Sequence, residues 1–363
     1  MTTVDNSLKL ITTVEQLHYY LIQAMKIEHA TIPPYMTALY SIKPGTNLEA
    51  FHIIRAVLVE EMLHLTLVAN VFNAVGGNMK STLTAPDFIP KYPTNLPTES
   101  KDFEVDLRKF SKEAVETFLN IERAKEVSED QPLVVSRSLQ ENLLSVYDHD
   151  PSYSFYSIGL FYAEIIRGVN ALYREMGDAL FCGDPQRQIT PEYYYNGGGD
   201  IIEVTDLRSA IRALKVIQEQ GEGSRIGAIY DAERELGHYY RFQQLELEKY
   251  YVVNKDEPEQ SDRPDHPTGA SFKVDWDAVY PIKTNAKLSD YLKDPELYVA
   301  AKEFQTAYSN FLAKIEYAFD GHPERLIPAV GEMFRLKEQA NSLIRNPIPS
   351  EQGVNAAPIF RLD

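Results

Sequence analysis

Four Glu-x-x-His phrases occur in this chain, which has only eight histidines in 363 residues. Residues three apart lie on one face of a helix, so each phrase can present a carboxylate and an imidazole to the same point. Their positions separate them. Glu15/His18 and Glu49/His52 fall in the first turns of predicted helices, where capping and solvent account for them. Glu61/His64 and Glu235/His238 fall mid-helix inside apolar stripes. An unpaired ionised group there costs several kcal/mol unless it is neutralised or binds a metal.

The stripes predict four long helices. The first is opened by Thr12 or Thr13 and carries Leu17, Leu21, Met25, Glu28 and Ile32 on one face. Pro33 and Pro34 remove backbone donors and predict a kink just past the glutamate. The second runs from about 48 to 75, with Ile54, Val57, Leu58, Glu61, Leu65, Val68 and Phe72 inward and Gly76–Gly77 at its end. The third places Ile158, Phe161, Glu164, Gly168 and Leu172 on one face, and Gly168, one turn beyond Glu164, is expected to leave room beside bound metals. The fourth, about 225 to 251, lines up Ala228, Asp231, Glu235, His238, Phe242 and Leu245.

The expectation is an all-α fold: a four-helix bundle over residues 1–252, with insertions at 78–152 and 178–224. The first insertion is a long crossover with one helix from Ser111 to about Glu122; the second holds the extended phrase YYYNGGGDIIEV and a helix capped by Asp206. Residues 253–363 are read as a loop and further C-terminal helices, about 295–320 and 323–345, packing on the bundle.

In chain order the buried acids read Glu, Glu-x-x-His, Glu, Glu-x-x-His. That is the ligand pattern of dimetal carboxylate bundles, and it names Glu28, Glu61, His64, Glu164, Glu235 and His238 as metal ligands. Carboxylate and imidazole donors without thiolate suit iron or manganese. Two iron ions are predicted, with an Fe/Mn or manganese pair as the alternative. Asp231 and Glu60 are the candidates to receive the outward N–H of the ligating imidazoles. His29 points away from Glu28 and is read as structural; Tyr35, Tyr162 and Tyr239 are assigned to core packing in preference to redox or hydrogen-bonding roles, since the chain has 23 tyrosines.

A net charge of -17 without a Lys/Arg cluster excludes a phosphate-backbone partner. The single Cys182 excludes an internal disulfide framework, a Cys-built zinc ribbon and an iron–sulfur cluster. The opening MTTVDNSLKL is no secretory signal, and no long apolar run occurs, so the expected compartment is the cytoplasm, away from membrane.

The phrases KIEHATIPPYMTALYSI, VEEMLHLTLVANVFNAVGG, PKYPTNLP, IQEQGEG and ELGHYYRF, with the closing AAPIFRL, resemble the ferritin-like proteins related to a domain of the iminophenyl-pyruvate dimer synthase of violacein biosynthesis. The resemblance implies a ferritin-like bundle with metal at the six positions above. It also implies an O2-dependent oxidase or oxygenase acting on a small organic, amino-acid-derived molecule. The alternatives are a ferroxidase without organic substrate and a structural metal-binding scaffold. O2, a small-molecule substrate, an external electron donor and a second copy of the chain are the expected partners.

Overall fold

Thr13 opens the first helix, α1 (Val14–Ser41), through a capping box: its hydroxyl accepts from the Gln16 amide at 3.2 Å while the Gln16 side chain accepts from the Thr13 amide. In the computed structural model, which describes residues 10–96, 104–123, 158–222, 229–230, 235–252 and 266–362, α1 runs unbroken through Pro33 and Pro34 to Ser41, where the sequence predicts a kink. The helix survives because one carbonyl that proline orphans finds another donor. Pro34 cannot bond Ala30, and the Tyr92 hydroxyl donates to the Ala30 carbonyl at 2.7 Å instead.

A turn with Gly45 at φ 79° and Asn47 at φ 47° reverses the chain into α2 (Leu48–Ala74), which ends at Gly76, φ 78°. The two long helices form an antiparallel hairpin at the centre of the fold. α3 (Lys112–Glu122) is capped by Ser111, which accepts from Ala114 N at 3.2 Å. α4 (Ile158–Met176) packs on α5 (Leu207–Glu222), which Asp206 caps by accepting from Ser209 N at 2.8 Å. α6 (His238–Leu247) packs on α3, so the pair α3/α6 and the pair α4/α5 flank the central hairpin. The phrase YYYNGGGD, read from sequence as extended, forms turns that lie on α2.

The fourth bundle helix is shorter than the sequence predicts. It starts at His238, with Gly237 ahead of it at ψ 156° and Tyr230 bridging Leu236 in antiparallel fashion. Glycine favours a break over helix interior, and here it sets the break directly before the histidine.

At the C-terminal end, Asp294 caps α7 (Pro295–Phe319), followed by α8 (Leu326–Gly331) and α9 (Met333–Ile344); the second predicted C-terminal helix is thus divided at Glu332. These helices share one apolar core with the hairpin. Asn73 donates to the Phe319 carbonyl at 2.8 Å, and His29 meets the Tyr308 hydroxyl at 2.9 Å, so His29 is a structural contact between α1 and α7. Burial holds His29 neutral, with its pKa lowered to about 3.

Glu316 fastens α7 to the loop after α2. Its carboxylate accepts from the backbone N–H groups of Ser81, Leu83 and Thr84 at 2.9, 2.8 and 3.0 Å. Glu316→Ala leaves these donors without their acceptor. We expect a loss of about 1–3 kcal/mol, read as a lower urea midpoint at unchanged slope; an unchanged midpoint contradicts this role.

Candidate metal centre

Glu61 projects from the middle of α2 into the space between the flanking helices, and two groups of metal-ligand type share it. One is Glu28, Glu61 and His64; the other is Glu61, Glu122 and His238. In each, the candidate donor atoms lie within 4.8 Å of one another, and all five residues are buried. His64 Nδ1 stands 3.1 Å from Glu28 and 3.9 Å from Glu61. His238 Nδ1 stands 2.9 Å from Glu61 and 3.5 Å from Glu122. The two imidazoles are stacked with centroids 5.4 Å apart.

Helix geometry produces this convergence. Glu28 comes from α1, Glu61 and His64 from successive turns of α2, Glu122 from the last turn of α3 and His238 from the first of α6. Each outer glutamate is held by a phenol: Tyr162 donates to Glu28 Oε1 and Tyr35 to Glu122 Oε1, both at 2.5 Å. The Thr31 hydroxyl reaches Glu61 Oε2 at 2.9 Å.

The outward imidazole nitrogens fix the inward ones. Gln220 donates its amide N–H to the Gly198 carbonyl at 3.2 Å, which turns its oxygen toward His64 Nε2 at 2.8 Å. An amide oxygen only accepts, so His64 Nε2 carries the hydrogen. His238 Nε2 donates to Glu60 Oε2 at 2.9 Å, and Arg241 holds the other Glu60 oxygen at 3.0 Å. Both rings therefore turn Nδ1 toward the shared Glu61.

The cluster fits a metal on its own geometry. His238 Nδ1 is buried and close to two carboxylates, yet it makes no hydrogen bond of acceptable direction. A buried polar atom without a partner is expensive, and a cation among these donors relieves it. Absent a cation, protons must balance the charge. Burial, together with Glu122 and Glu28, pushes Glu61 up to about 7 against the pull of His238. Burial opposes charge on both histidines, but the carboxylates outweigh it: Glu28 raises His64, and Glu122 with Glu60 and Glu61 raises His238 well above the ordinary value.

Of the six ligands named from sequence, the structure brings together Glu28, Glu61, His64 and His238. Glu164 is buried but turned elsewhere. Its carboxylate accepts from Arg167, one turn on, and from the Ile11 amide at 2.8 Å, and Ile11 also fills the space beside Gly168. Glu235 is exposed, because the chain is extended at Gly237 and the i,i+3 relation to His238 does not hold there. Glu60 meets His238 as an outer partner, whereas Asp231 lies outside the described residues. Sequence reasoning missed Glu122 and Gln220. Glu122 had a signal: with Val115 and Phe118 it continues the buried face of α3, an acid inside an apolar stripe. Gln220 had none, since an uncharged amide near a helix end looks like any solvent-facing residue.

No helix among the described residues is long and apolar enough to cross a membrane. No curated protein matches the chain. A crystal structure of a ferritin-like protein from Caulobacter vibrioides is similar in fold: TM-score 0.61, 21% identity, covering 97% of this chain and 100% of that one. The family model described as Ferritin-like matches residues 21–247. The chain belongs to the Ferritin-like family.

Proposed function

We propose that the protein is a di-iron carboxylate oxidoreductase that uses O2 on a small organic acid of amino-acid origin. The observation that carries the reading is the pair of ligand groups sharing Glu61, with His238 Nδ1 buried and unbonded between two carboxylates. The donors are oxygen and imidazole nitrogen, the set that iron and manganese accept. Iron held there would supply electrons for the reduction of dioxygen.

The residues themselves favour an anionic substrate. Glu28, Glu61 and Glu122 are three carboxylates, and two divalent cations exceed them by one positive charge. Glu60 adds nothing to the balance, because Arg241 pairs with it. A substrate carboxylate would neutralise the excess in a site where unbalanced charge is costly. Tyr35, Tyr162 and the stacked rings wall the cluster from water, which strengthens every electrostatic contact inside it.

Anaerobic addition of Fe(II) should give two irons per chain, and O2 exposure should then give oxygen uptake that small amino-acid-derived carboxylates or imines accelerate. Full iron loading without oxygen uptake, with or without such compounds, sinks the oxidoreductase reading. Oxygen uptake indifferent to organic acids, with iron accumulating far beyond two per chain, would make the protein a ferroxidase instead.

The ligand set is tested separately. Glu122→Gln should hold one iron under conditions that saturate the native chain with two. Glu164→Gln should keep both and lose about 1–3 kcal/mol of stability, since the amide keeps one acceptor oxygen but removes the charge and the second oxygen that Arg167 uses. Elemental analysis and thermal unfolding read the two effects; metal loss in the second variant with none in the first reverses the assignment.

A further inference from the structure

The two ligand groups are nearly copies of each other. Each has the shared Glu61, one outer glutamate, and one histidine facing inward through Nδ1. Each outer glutamate receives a phenol at 2.5 Å, from Tyr162 in one group and Tyr35 in the other. Around this common set, one outer contact differs in charge: what the outward nitrogen of the histidine meets. His64 Nε2 meets the neutral amide of Gln220, and His238 Nε2 meets the carboxylate of Glu60.

We propose that the two metal positions are unequal, the one formed by Glu122 and His238 binding a divalent cation more tightly than the one formed by Glu28 and His64. The inference rests on the dimetal reading above and adds to it an order of filling. An imidazole that donates to a carboxylate gains electron density at its other nitrogen and becomes a stronger ligand. An imidazole that donates to an amide gains less. Arg241 holds Glu60 in place: it lies 3.0 Å from the oxygen that His238 does not use, so the carboxylate meets an imidazole on one oxygen and a guanidinium on the other. Gln220 is oriented in turn by the Gly198 carbonyl, and Gly198 itself lies so close to α2 that an added Cβ would stand 2.8 Å from the Val59 carbonyl. The asymmetry is therefore built into packed structure and does not depend on a loose side chain.

Metal-free full-length protein titrated with Mn(II), followed by calorimetry, should show two separate binding events per chain. His238→Ala should abolish the tighter event and spare the weaker; His64→Ala should do the reverse. Glu60→Gln should weaken the tighter event by about 10–100-fold and leave the other within a few-fold. Because that change also removes the partner of Arg241, Gln220→Glu provides an independent arm: it should tighten the weaker event and narrow the gap. Circular dichroism confirms that each variant is folded. Two equal events in the native chain, or equal weakening of both by Glu60→Gln, overturns the inequality while leaving the dimetal reading intact. Failure of the native chain to bind two Mn(II) ions overturns both.

Discussion

Neutralising Glu61 is the constraint around which the rest of the structure is arranged. The residue sits mid-way along a buried helix, flanked by the carboxylates of Glu28 and Glu122, with its pKa raised to about 7. Three buried acids at this spacing repel one another, and only protons or cations placed among them make the bundle interior tolerable. Four elements, α1, α2, α3 and α6, converge there because each delivers one part of the balance. A metal bound at such a cluster would displace protons and stabilise the fold at once, which would link occupancy, pH and stability.

The helices that carry the cluster are held by contacts that repair their own irregularities. α1 passes through two consecutive prolines little more than a turn beyond Glu28, and Tyr92 takes over a donor role that proline cannot fill. Outside the cluster, His29 ties the same stretch to Tyr308 on α7. On the other side, the glycine-rich turn at 197–199 lies against α2 behind Glu60, and its backbone orients Gln220 and through it His64. A turn remote from the cluster thus decides, through Gln220, which nitrogen His64 turns inward.

The central hairpin was legible because its stripes are long: an acid recurring with Leu and Val over 27 or 28 residues has one reading, and Glu28, Glu61 and His64 follow from it. The same test applied to α4 picked Glu164, which is buried as expected. It failed on partner, since periodicity records that an acid faces the core but not that Arg167, one turn later, reaches back to neutralise it. Glu122 gave the same signal from a helix of 11 residues inside a crossover, and the shorter stripe hid it. For Glu235 the spacing was right and the secondary structure was not. Motif arithmetic presumes a helix, and the helix begins only at His238, after Gly237, so no helical turn joins the two residues.

The two buried tyrosines at the cluster answer a problem that the carboxylates create. Burial, then the nearby glutamates, raise the Tyr35 and Tyr162 hydroxyls well above their ordinary pKa, so both phenols keep their protons. A phenol that stays neutral adds no negative charge to an already acidic site. It can only donate to, and so fix, one oxygen of Glu122 or Glu28. The other oxygen of each carboxylate is then the one facing a histidine: Glu28 Oε2 toward His64 and Glu122 Oε2 toward His238. Donors that looked like core packing in a tyrosine-rich chain therefore select which oxygen of each outer ligand is presented. They do so symmetrically, whereas the outward contacts of His238 and His64, to Glu60 and Gln220, differ in charge.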